Sequence, residues 1–140
     1  MRDRSLQAVG IARRWIGTPY RHQASCQGAG CDCLGLLRGI WREIYGAEPE
    51  AVPAYSRDWS EPEGDEVLWR AAGRWLVPAS GPVDGGQVLL FRMRDGAVAK
   101  HLGIASGTDR FIHAYSGHGV VESALTAPWR RRLVAWFEFP

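Results

Sequence analysis

The hydrophobic pattern changes period once along the chain, and that change restricts the architectures open to it. Up to about residue 76 the apolar residues recur at helical steps; from Val88 onward they form short runs broken by glycine-containing turns. Leu6, Val9, Ala12 and Ile16 mark a first helix that Asp3 or Ser5 can cap and Gly17 ends. Cys33, Leu37, Ile40 and Ile44 fall at i, i+4, i+7 and i+11, which predicts a second helix from about Asp32 to Gly46. A third, shorter helix is predicted over Glu66 to Leu76, with Val67, Leu68, Ala71 and Trp75 inward. Loops occupy 17–30, the stretch 47–64 with Pro49, Pro53 and Pro62, and 78–86. Strands are predicted over Val88–Met93, His101–Ser106, Phe111–Tyr115, Val120–Ser123 and Leu133–Phe139. Helices followed by strands is an α+β pattern, not a βαβ one. We therefore expect N-terminal helices packed on a C-terminal antiparallel β-sheet, with the strands in a meander and residues 1–140 forming a single domain.

Composition removes several alternatives. With 46% hydrophobic and 23% charged residues the chain is neither disordered nor collagen-like. Its apolar runs fall far short of the ~20 residues of a membrane helix. A net charge of +2 gives no ground for nucleic-acid binding. The start MRDRSLQAVG lacks the apolar segment of a signal peptide. Three cysteines, Cys26, Cys31 and Cys33, lie within eight residues, and an odd count without a signal peptide points to thiol chemistry or metal before a disulfide framework. His22 with the three cysteines could be read as zinc ligands. C-x4-C-x-C is not a CxxC pair, however, and the second paired half is missing, so no metal or cofactor is expected.

Cys33 carries the most information. It falls in the first turn of the second helix after a glycine-rich loop, where free N–H groups and partial positive charge favour a thiolate. The same N–H groups suit an oxyanion, and Gly35 leaves room for close approach. The competing reading is a small buried core cysteine. Two histidines bear on the choice, because a thiol hydrolase needs a base and a group that orients it. If the turn at 107–109 pairs Ser106 with Arg110, His101 lies opposite Tyr115 and His113 is its diagonal neighbour on the same face. A one-residue slip would put the two on opposite faces, so a His–His relay is permitted without being required. His118, between two glycines, is expected in solvent. The run Arg130-Arg131-Arg132 reads as a solvated turn before the last strand. The tryptophans are expected mostly in the core, with Trp59 placed to line a cleft and Trp129 and Trp136 at the last strand.

Taken together the motifs resemble the NlpC/P60 family of papain-like cysteine peptidases. The family's G-T-P-Y segment stands here as Gly17-Thr18-Pro19-Tyr20, and its G-x-D-C-S-G-L helix start as Gly30-Cys31-Asp32-Cys33-Leu34-Gly35-Leu36. Its H-V-G-I strand stands as His101-Leu102-Gly103-Ile104, with the later polar residue at His113. The likeness runs over roughly residues 5 to 125. It implies a papain-like fold, Cys33 as nucleophile, His101 as base and His113 as orienting residue. Tyr20 matches a tyrosine near the nucleophile that helps with the oxyanion. Such enzymes cut peptide stems of bacterial peptidoglycan, often between D-glutamate and the diamino acid.

The sequence departs from the pattern at Leu34, where serine is usual, and at Arg21-His22-Gln23-Ala24, where paired glycines are usual. The additional Cys26 and Cys31 are not family-wide. With the compact length and the ending ESALTAPWRRRLVAWFEFP, these departures resemble the branch encoded in phage tail and gene transfer agent clusters. That resemblance implies an enzyme made in the cytoplasm without a signal peptide and carried on the tail of a virion or gene transfer agent. It would act in the periplasm of the target cell, with tail-tip or baseplate proteins as partners and neither nucleic-acid binding nor membrane insertion. The readings weighed against it are a structural tail-tip subunit with a vestigial site and an amidase or acyltransferase on the same scaffold.

Overall fold

The computed structural model describes residues 2–50 and 64–140. The expected loop over 51–63, with Trp59, lies outside the described residues. Helix α1 (Arg2–Trp15) leads through two short strands, β1 (Ser25–Cys26) and β2 (Gly30–Cys31), into α2 (Cys33–Tyr45). Helix α3 (Val67–Trp75) and a two-residue strand β3 (Val77–Pro78) follow. The rest is β4 (Val88–Phe91), β5 (His101–Ala105), β6 (Arg110–Tyr115), β7 (Gly119–Ala124), a short helix α4 (Ala127–Arg132) and β8 (Leu133–Glu138). This is the expected α+β arrangement, with α1 and α2 packed on one face of an antiparallel sheet.

The sheet is not the simple meander that the strand sequence suggested. Its order is β3-β8-β4-β5-β6-β7, so the last strand crosses back and pairs with β4. Strand β4 is buried along its whole length and needs a partner on each edge: β5 supplies one and β8 the other. Val88 and Leu90 face the helices with Leu102, Ile104 and Ile112, while Leu89 and Phe91 face the other side with Phe111, Leu125 and Trp129. The connection that carries the chain back contains α4, where the sequence suggested only a solvated turn at Arg130–Arg132.

The face of α1 also differs from the expected stripe. Ala8, Ile11, Ala12 and Trp15 are buried, whereas Leu6 is 67% and Ile16 42% exposed. The reason lies on α2: a Cβ added at Gly39 would come within 2.1 Å of the Trp15 ring, so the missing side chain is the notch that seats it. Trp15 Nε1 also donates to Glu43 Oε2 at 3.1 Å, which fixes how α1 crosses α2. On α3, Leu68 and Ala72 are the buried positions, and Trp75, expected inward, is 39% exposed and donates to Glu50.

Candidate active site

The start of α2 is built by Asp32. Its backbone is extended and its carboxylate accepts from Gly35 N at 2.8 Å, capping the helix, and from Gln23 N at 2.7 Å, holding the preceding loop. That loop packs directly on the helix. Ser25 Oγ donates to Gly35 O at 2.6 Å, and a Cβ at position 35 would stand 1.9 Å from the Ala24 carbonyl oxygen. The glycine two residues after Cys33 is therefore required by the loop, which approaches the helix backbone where any side chain would be. Gln23 takes a φ of 67°, the one left-handed non-glycine residue among those described, at the point where its N–H turns to Asp32. Tyr20 forms a parallel bridge with Cys31, placing it beside the segment that runs into Cys33.

Cys33 is half-buried at the first position of α2. Its Sγ donates to the carbonyl of Lys100 at 3.5 Å, so the thiol lies against the entry to β5, where His101 stands. Glu66 anchors this entry from the start of α3: its carboxylate accepts from Ala99 N at 2.8 Å and from Arg92 at 2.9 Å. The expectation of a lowered thiol pKa is corrected here. Desolvation pushes Cys33 up to about 12, and the Asp32 charge adds to it; N–H groups of Leu102, Leu34 and Cys33 pull the other way without prevailing. Asp32 satisfies the cap with a buried carboxylate, which brings negative charge to a place where the bare helix end would offer positive. The resting group is a neutral thiol, so forming the nucleophile calls for a base.

The histidines meet as the turn pairing requires. Ser106 N donates to Arg110 O at 2.9 Å, and Ile104 and Ala105 pair with Ile112 and Phe111. His101 Nε2 lies 2.8 Å from His113 Nδ1. Gly103 makes this approach feasible, since a Cβ there would press on the Phe111 ring at 2.8 Å and on His113 Cβ at 3.4 Å. Both rings are buried among aromatics: Trp129 of α4 stacks on His101 with centroids 5.7 Å apart and meets His113 edge-on at 5.2 Å, and Tyr115 stacks on His113 at 5.3 Å. His118 is exposed and stacks on Tyr115 with centroids 5.1 Å apart. His113 Nε2 continues the chain of contacts to Ser123 Oγ at 2.9 Å. Ser123 and Trp129 were not singled out as site residues from sequence. The pairing of Phe111 with Ser123 is a signal that a register argument extended to β7 could have found; α4 left none.

Burial lowers the pKa of both histidines well below the ordinary 6.5, so both rings are neutral at neutral pH. An unfolded histidine titrates near 6.5. As pH falls below that value the unfolded chain binds protons that the folded chain refuses, and stability is lost. The contribution is complete above about 6.5 and declines through the acid range. Glu48, held below 4.5 by hydrogen bonds from Arg38 and Arg42, and Glu122, held there by hydrogen bonds from the Ser106 hydroxyl and Arg13, add their own loss only lower down. Thermal melts between pH 7 and 5 should therefore show Tm falling with acidification, and less steeply in His113→Ala. A Tm that rises across this window would contradict the burial of the pair.

Among the described residues no three His, Cys, Asp or Glu side chains are grouped to hold a metal ion. Cys26 is exposed and Cys31 buried on paired strands. A cavity of about 270 Å³ lies between α2 and α3, with Leu34, Leu37, Val67, Leu68 and Leu102 in its lining. Leu34 and Leu102 directly follow Cys33 and His101, and Leu34 is the residue that departs from the serine of the pattern.

Fold and site thus define a class: an α+β protein with a helix-start cysteine set against the strand that carries one of two coupled histidines. The chain belongs to the NlpC/P60 family, whose model matches residues 17–137. Over 119 residues it is 29% identical to the murein DD-endopeptidase MepS/murein LD-carboxypeptidase of Escherichia coli K12, covering 84% of this chain and 54% of that protein. Over 129 residues it is 26% identical to the gamma-DL-glutamyl hydrolase of Bacillus subtilis 168, covering 91% of this chain and 28% of that protein. The chain accordingly spans about half, or less, of the length of these curated relatives. The NlpC/p60 domain of the peptidoglycan hydrolase SagA has the same fold, with a TM-score of 0.67 at 20% identity over 96% of this chain and 98% of that one.

Proposed function

We propose that the protein is a cysteine endopeptidase that cleaves stem peptides of peptidoglycan, with Cys33 as nucleophile, His101 as base and His113 as the residue that orients it. The observation that carries this reading is the 2.8 Å contact between His101 Nε2 and His113 Nδ1, on the strand whose entry holds the Cys33 sulfur. With Nε2 committed to His113, Nδ1 is the atom of His101 that takes the thiol proton. The sulfur attacks the amide carbonyl as this proton moves, and the N–H groups of Cys33 and Leu34, which face the sulfur, hold the oxyanion. Tyr20, beside the Cys31–Cys33 segment, assists at the same oxygen. Collapse breaks the C–N bond, and the departing amine takes the proton from His101. Water, deprotonated by His101, then cleaves the thioester and restores the thiol.

The bond we propose is that between D-glutamate and the diamino acid. The relationship to a protein named gamma-DL-glutamyl hydrolase supports this, while the relative named DD-endopeptidase makes the cross-link the bond to compare it with. Carriage on a phage-like tail, with tail-tip proteins as partners and the target cell's periplasm as the place of action, is part of the same reading and rests on the sequence departures noted above. The test is digestion of purified Gram-negative peptidoglycan and soluble muropeptides, with the products read by mass spectrometry. Free L-alanyl-D-glutamate ends are the expected product. Separated cross-links with intact stems would replace the proposed bond by the DD bond, and no cleavage by folded protein would overturn the peptidase reading.

A further inference from the structure

We propose that Ser123 is a positioning residue that sets the protons of the histidine pair: its Oγ accepts from His113 Nε2 and so keeps His101 Nδ1 open for the thiol proton. The inference deepens the peptidase reading and rests on it. Ser123 reaches this place by register. Phe111 pairs with Ser123 and His113 with Val121, so Ser123 lies diagonally across from His113. His113 is fully buried, with Phe111, Tyr115 and Trp129 rings 4.2, 5.3 and 5.2 Å from its own, so its nitrogens depend on protein partners.

Two neutral proton arrangements fit the distances. In one, His101 Nε2–H donates to His113 Nδ1 and His113 Nε2–H donates to Ser123 Oγ; His101 Nδ1 then carries a lone pair and can act as a base. In the other, Ser123 Oγ–H donates to His113 Nε2, His113 Nδ1–H donates to His101 Nε2, and the remaining His101 proton sits on Nδ1, where it blocks the thiol. A hydroxyl serves either arrangement. Without it, the competent arrangement leaves a buried N–H unpaired, whereas the blocked one leaves only a lone pair, which is the more readily tolerated. Loss of the hydroxyl therefore favours the blocked form. It also removes the partner that steadies His113 while His101 is an imidazolium.

The experiment uses the full chain with 15N-labelled histidine, as wild type, Ser123→Ala and Ser123→Thr. Threonine keeps the hydroxyl and suits a strand. Ser123→Ala should lower kcat on soluble muropeptides by about tenfold or more, with KM unchanged, the scale expected for a lost hydrogen bond to a charged relay. Its His113 Nε2 resonance should move from the protonated to the unprotonated position, and Ser123→Thr should recover both. Wild-type kcat in Ser123→Ala, or a His113 Nε2 that stays protonated there, overturns the proposal. The resonance needs no substrate. A wild type that cleaves no muropeptide yet shows the proton shift in Ser123→Ala sinks the peptidase reading and leaves the role of Ser123 in the pair standing.

Discussion

Cys33→Ala is expected to lower kcat/KM on peptidoglycan stems by about 10⁴-fold or more, in the range seen when a covalent nucleophile is removed, while the fold survives. The helix start does not depend on sulfur. Asp32 caps it through Gly35 N, the loop is tied down through Gln23 N and Ser25 Oγ, and alanine is the residue most compatible with a first helical turn. Digestion and circular dichroism on one preparation check both halves. Turnover above one part in a hundred of wild type would remove Cys33 from the nucleophile's role. A chain that fails to fold would show that the thiol contact with the Lys100 carbonyl is structural.

The second large effect separates the two histidines. His101→Ala is expected to cost about 10²–10⁴-fold in kcat, the span of a general base. His113→Ala should cost less, about 10–100-fold, because it removes one charge-assisted hydrogen bond and leaves the base in place. The high thiol pKa makes this contrast informative. Where a thiolate exists at rest, a base adds little to the first step; here desolvation and the Asp32 charge favour the neutral thiol, so the proposed nucleophile depends on the proposed base. Equal losses in the two variants would point to a pair acting as one unit. Full activity in His101→Ala would show the base assignment to be wrong.

Several features of this site are legible without coordinates because they depend on neighbours in the chain. A cysteine after Gly30 and Asp32 is a helix-start cysteine since the cap acts within one turn. The glycine turn at 107–109 allows the pairing of Ser106 with Arg110 that the structure has, and that register, against a slip by one residue, puts His101 and His113 on one face. Other features depend on partners far along the chain. The buried face of α1 follows Trp15 into the notch at Gly39, 24 positions later, against a stripe that looked as good by period. The return of β8 to β4 follows from an edge that exists only once the sheet has formed.

The three longer helices, the five main strands and the place of Cys33 at a helix start were legible in the chain, because each rests on local geometry; the facing of the two histidines was legible only on condition of the turn pairing between Ser106 and Arg110. Only the folded chain sets the desolvation that raises the thiol pKa, the aromatic enclosure by Trp129 and the contact of the Ser123 hydroxyl with His113. Solvation and long-range contact carry no period along a chain. They come into being when α2, the sheet and α4 close on one another and exclude water.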